Sequence, residues 1–89
     1  MDLLNSINMK LYDLCIVVEH LNQQWNGMFA IVIEDFKPNY FLVELWTFEK
    51  DNEVEMASIL PNNLRLATKE ETEEYQIIFK EYCDRNESH

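Results

Sequence analysis

Glycine occurs once in the 89 residues, at Gly27, and proline twice. A chain so poor in both holds no flexible linker, no Pro/Gly-rich low-complexity tract and no glycine-rich loop able to cradle phosphate. Positive charge is scarce as well: 7 Lys and Arg stand against 17 Asp and Glu, a formal charge of −10. Without a basic stripe to displace counterions, direct binding to nucleic acid is not expected, and anionic membranes are disfavoured for the same reason. The two cysteines, Cys15 and Cys83, belong to no CxxC or Cys/His cluster, so neither a metal site nor a cofactor is expected. Idle thiols fit a reducing cytoplasm. No apolar run nears the roughly 20 residues of a membrane span. The opening Met1-Asp2-Leu3-Leu4-Asn5-Ser6 has neither the charged nor the apolar region of a signal peptide.

What the chain does have is apolar bulk. Hydrophobic residues are 47% and aromatics 12%, too much for a disordered acidic segment, and the length suits one domain. A core must therefore offset the self-repulsion of the excess carboxylates. Two readings of the acidity stand side by side: a solvated surface that keeps the protein soluble, or a field that steers it onto basic protein surfaces.

The hydrophobic pattern divides the chain into a leader (1–9), a β-rich body (10–68), a helix (69–83) and a polar tail (84–89). Leu11 to Val18 reads as a first strand, and His20 to Gly27 as a polar loop. Met28 to Asp35 is a second strand with Phe29, Ile31 and Ile33 on one face. A Phe36-Lys37-Pro38-Asn39 turn leads to a third, Tyr40 to Trp46, with Phe41, Val43 and Leu45 inward. Glu49-Lys50-Asp51-Asn52 is a turn. Glu53 to Ile59 is a fourth strand with Val54 and Met56 inward, and Leu64 to Ala67 a short fifth strand after the tight, 3₁₀-like Leu60-Pro61-Asn62-Asn63. Thr68-Lys69-Glu70-Glu71 is a capping box, followed by Tyr75, Ile78, Phe79 and Tyr82 at i, i+3, i+4, i+7.

A mostly β fold with one C-terminal helix follows, as a five-stranded antiparallel barrel or curled sheet. Its order of elements resembles the SH3-like barrel in its bacterial, KOW-like versions. The resemblance rests on Lys10-Leu11-Tyr12-Asp13, on Gly27 before the second strand, on Glu34 ending it, on Tyr40 to Leu45, and on Leu60-Pro61-Asn62-Asn63-Leu64-Arg65. It covers residues 9–68. Barrels of this kind include nucleic-acid binders, peptide binders, assembly subunits and toxin-neutralising proteins, so the resemblance implies a fold and leaves the function to the surface.

No local nucleophile motif surrounds Ser6, Ser58, Ser88, His20 or His89, and no enzyme is expected. Binding leaves better traces. Glu34, Asp35, Glu44, Glu49, Asp51, Glu53 and Glu55 are expected near one edge of the sheet, either as a solvated face or as a patch that docks onto a basic site. Tyr40, Leu42 and Trp46 form a stripe that the helix covers or that marks an interface. Trp25, a tryptophan in a polar loop, is the leading contact residue, expected exposed until a partner covers it; the alternative is a ring folded back over the barrel end. These traces lead to the expectation of an inhibitor-type binding protein. Such a protein, an immunity protein, antitoxin or phage-type inhibitor, would occlude a basic, nucleic-acid-handling site on a toxin or nuclease. The alternative is an accessory SH3-like subunit that stabilises a larger complex. The sequence leaves the oligomeric state open.

Overall fold

The computed structural model describes residues 9–46 and 54–87, with side chains through Asp84. Five strands form one antiparallel sheet: β1 (Leu14–Val17), β2 (Phe29–Phe36), β3 (Tyr40–Trp46), β4 (Val54–Ile59) and β5 (Leu64–Leu66). Their spatial order is β4-β3-β2-β1-β5, so the sheet is open, with β4 and β5 at its margins. A 3₁₀ turn at Pro61–Asn63 links β4 to β5, and the C-terminal helix α1 spans Lys69–Glu87. This arrangement is compatible with an SH3-like fold. The helix runs past residue 83, where the sequence pattern places its end, because neither glycine nor proline interrupts Glu81 to Glu87.

Register determines which side chains share a face, because successive residues of a strand point to opposite sides. Cys15↔Ala30, Ala30↔Leu45, Val32↔Val43, Val43↔Ala57 and Phe41↔Ile59 set one face. Together with Met9, Val17 and Leu64 these residues form the buried core. Met9 is fully buried and its Sδ lies 3.6 Å from the Cys15 thiol, so the expected leader ends inside the core. Lys37 Nζ donates to the Met9 carbonyl at 2.8 Å and ties that segment to the β2–β3 turn. Burial pushes the Cys15 thiol up to about 12, with Asp13 adding to the shift; it stays protonated and inert at neutral pH.

The opposite face carries Ile16↔Phe29 and Phe29↔Trp46, then Trp46↔Val54, and in the next row Leu14↔Ile31, Ile31↔Glu44 and Glu44↔Met56. Phe29 and Ile31 therefore cannot share the core with Phe41, Val43 and Leu45, and the sequence expectation for β2 is corrected: Ala30 and Val32 fill the core instead. A register shift between Val32 and Glu34 leaves Ile33 without a cross-strand partner, the two-against-one count of a β-bulge. β4 is corrected in the same sense. Val54 and Met56 point to the Trp46 side, 37% and 57% exposed, while Ala57 and Ile59 are buried.

Helix α1 covers part of that second face. Phe29 meets Tyr75 at 5.3 Å between ring centroids, and Trp46 meets Phe79 at 5.4 Å and Tyr82 at 5.8 Å, all edge-on, the geometry that ring quadrupoles favour. Successive contacts of the helix thus step across the strands, from Arg65 of β5 at Glu71 to Trp46 of β3 at Tyr82. Three strand spacings come to about 14 Å and eleven helical residues to about 16 Å. The helix therefore crosses the strands steeply instead of running along them. Its 19 residues make α1 about 28 Å long.

The capping box forms. The Glu71 amide donates to Thr68 Oγ1 at 3.1 Å, and the Thr68 amide donates to Glu71 Oε1 at 2.9 Å. Arg65 adds a bidentate pair to the same carboxylate, 2.8 Å on each oxygen. These bonds, with Arg65 first, hold the Glu71 carboxyl down to about 2. Gly27, at φ +85°, takes the left-handed conformation that suits glycine; its amide donates to the Val17 carbonyl at 2.8 Å. Tyr12 (φ 71°) and Glu19 (φ 52°) adopt the same region without that freedom.

Two outcomes test this architecture. Phe79→Ala removes a half-buried ring from the helix–sheet contact and should cost about 2–4 kcal/mol in denaturant unfolding; a cost under about 1 kcal/mol would mean the stripe does not support the fold. Glu71→Gln should cost about 1–2 kcal/mol at pH 7, one cap and one partly solvated ion pair. Because the folded-state carboxyl lies below the ordinary 4.5, this contribution is present above that value and is lost as pH falls toward about 2. The gap in melting temperature between wild type and variant should therefore close across that window.

Candidate interaction surfaces

α1 lies over the Phe29–Trp46 row, and among the described residues no further element lies over the rest of that face. Beyond it, Ile31, Glu44 and Met56 form one row, Glu34, Leu42 and Ser58 the next, and Phe36 with Tyr40 the last. Ile31, Leu42, Glu44 and Tyr40 are half-buried, whereas Glu34, Phe36, Met56 and Ser58 are exposed. The result is an apolar ledge carrying two carboxylates. Phe36 and Tyr40 close its far end as a ring pair at 4.8 Å. Glu44 sits at the helix margin: the Tyr75 phenol is raised by burial first and by the Glu44 charge second.

The stripe Tyr40–Leu42–Trp46 is thus split. Trp46 lies under Phe79 and Tyr82, while Tyr40 and Leu42 belong to the ledge. The acidic candidates are divided too. Glu34 and Glu44 share the ledge face. Asp35 aligns with Phe41 on the other side and is engaged locally, accepting from the Lys37 amide at 2.9 Å and pairing with Lys37 Nζ at 3.4 Å. Glu55 is exposed at the β4 margin, opposite Leu45. Glu49, Asp51 and Glu53, with the turn at 49–52, lie outside the described residues. Met56, Phe36 and Ser58 are members of the ledge that the sequence pattern missed. The alternation of β4 against Glu44 was the signal for Met56, once the register is known.

Trp25 closes a 3₁₀ turn, Gln23–Trp25, whose N-cap Asn22 accepts from the Gln24 amide at 3.1 Å. The His20 amide donates to Asn26 Oδ1 at 2.8 Å, Asn26 Nδ2 returns a bond to the His20 carbonyl at 3.2 Å, and the Asn22 amide donates to His20 Nδ1 at 2.9 Å. This mesh folds the indole inward. Trp25 stands 4.8 Å from the His20 ring and packs on the core cluster, so the expectation of an exposed ring is corrected in favour of a ring folded back over the sheet end. The apolar residue this loop does present is Leu21, 98% exposed. Asn63 Nδ2 braces the loop entry through the carbonyls of Val18 (3.1 Å) and Glu19 (3.0 Å).

On the flank of α1, a shallow cavity of about 480 Å³ is lined by Glu70, Glu71, Glu73, Glu74, Ile77 and Ile78. Four carboxylates around it repel any anionic ligand. Among the described residues no group of three or more His, Cys, Asp or Glu could hold a metal ion, and no helix is long and apolar enough to cross a membrane. No family model matches the chain, and neither the curated proteins nor the solved structures give a match.

The packing of Trp25 leads to a stability prediction. Trp25→Ala should destabilise the fold by about 2–3 kcal/mol, below the cost of a fully buried tryptophan because the ring is only half-covered. In a Trp46→Phe background, acrylamide should quench Trp25 clearly less than a free indole. Free-indole quenching with no loss of stability would place the ring outside the core.

Proposed function

We propose that this protein acts by binding, as an acidic inhibitor-type protein that occludes a basic, nucleic-acid-handling site on a partner such as a toxin or nuclease. Immunity proteins, antitoxins and phage-borne inhibitors share this physics. The observation that carries the reading is the placement of charge at the ledge. Glu34 and Glu44 lie on the ledge and Glu55 is exposed at the β4 margin on the opposite side of the sheet, while Lys37 and Arg65 are already engaged by Asp35 and Glu71. An anionic rim around apolar contact area suits a basic cleft: the carboxylates steer the encounter and the apolar residues add burial once docked.

A second reading draws on a different observation. Leu21, Leu60, Met56 and Ile77 are large apolar residues left exposed on separate parts of the surface. An accessory subunit of a larger complex would bury them, with the charge serving solubility.

The two part company in solution. A partner isolated from the native host should associate more slowly as salt rises, since screening shortens the steering range to about 10 Å at 0.1 M, and a nucleic acid bound by that partner should compete. Reversing Glu34, Glu44 and Glu55 to Lys together should weaken binding at least about tenfold more than reversing Glu70, Glu73 and Glu74. Equal effects from the two sets would reduce the role of charge to net repulsion. Salt-independent binding without competition would favour the subunit reading.

A further inference from the structure

The two margins of the open sheet differ. β5 has three residues and leads straight into α1, where Glu71 grips Arg65. β4 has six, in unbroken register with β3 from Phe41↔Ile59 to Trp46↔Val54, and among the described residues no strand pairs with its outer side. An antiparallel strand spends alternate donor–acceptor pairs on one neighbour and turns the others away. β4 therefore presents a row of backbone groups about 20 Å long.

Edges are commonly blunted by lysine, proline, a bulge or a covering element. Val54-Glu55-Met56-Ala57-Ser58-Ile59 contains neither lysine nor proline. Its pairing shows no shift, in contrast to the bulge in β2. Its single charge is Glu55, exposed, between Val54 and Met56, both also exposed. That pattern discriminates between occupants. Pairing with a second copy would bring together two chains that each carry −10, and the register centred on Glu55 would set like carboxylates opposite each other, both of which are destabilising. A basic strand meets the opposite situation.

We propose that the outer margin of β4 receives an extended, basic segment of a partner protein as an additional strand. In it, Lys or Arg would lie beside Glu55, and apolar residues beside Val54 and Met56. Backbone hydrogen bonds supply affinity and the side-chain alternation supplies register. This rests on the acidic-docking reading and deepens it by naming how the partner is held.

The test uses the intact protein and three end-blocked octapeptides: alternating Val-Lys, alternating Pro-Lys with the same charge and its lysine amides N-methylated so that no residue of it carries a backbone donor, and alternating Val-Glu. Binding and residue-resolved amide exchange are followed by NMR at low salt. Val-Lys should bind at least about tenfold tighter than the other two and slow exchange in Val54–Ile59 by a similar factor, leaving β1 and β2 unchanged. Glu55→Lys should lose that binding by about tenfold or more while the spectrum stays folded. Equal binding of Pro-Lys, or protection only away from β4, would overturn strand addition and leave electrostatic docking standing. Failure of both cationic peptides to bind would overturn both. Self-association in sedimentation with β4 protected and no peptide present would make a second copy the occupant and refute the proposal.

Discussion

A sheet whose central strands are apolar on both sides must be covered twice. In β1, Cys15 and Val17 face the core while Ile16 is buried on the other side; in β2, Ala30 and Val32 oppose Phe29 and Ile31. The first face is closed by Met9 and the curl of the strands, the second by the ring contacts of α1. From the need for that second cover follow the steep crossing of the helix, the clamp that anchors its start, and the shape of what stays open. A helix of one width cannot span strands as long as β2 and β3. The uncovered remainder becomes the ledge.

The legible parts of the molecule were those in which local chemistry suffices. Thr68 to Glu71 announces a helix start because both partners of the capping box lie within four residues, and the Tyr75–Tyr82 stripe needs only the helical period. The strands were visible as β-branched runs between turn residues. Their sidedness was not. Met28 to Ile33 is apolar at both parities, so alternation could not choose a face, and the bulge at Ile33 changes the parity midway. In β4 the parity of the buried Ala57 and Ile59 includes Glu55, while Val54 and Met56 are of the other parity, so alternation over the first half of the strand pointed to the wrong face.

The candidate surface was legible in kind and less so in place. The excess of carboxylates and the importance of Tyr40 and Leu42 could be read directly, yet the division of Glu34 and Glu44 from Asp35 depends on register. Trp25 illustrates the opposite difficulty. Its neighbours in sequence are polar, but Asn22, Asn26 and His20 spend their polar groups on one another, and the loop thereby turns the indole inward. Polar composition described the rim of that loop and concealed its packing.

The pairing of β1 with β5 joins Cys15 to Leu66, so an interior strand of the sheet waits for the last of the five strands to be made. On a ribosome, β1 emerges with both flanks unpaired; β2 can take one of them, but the other stays open until β5 follows. A hairpin of β2 and β3 can form meanwhile, but closure of so long a loop is slow relative to local pairing. Until β5 and α1 join it, the apolar surface of β1 and β2 stays open to the non-native contacts from which aggregation starts.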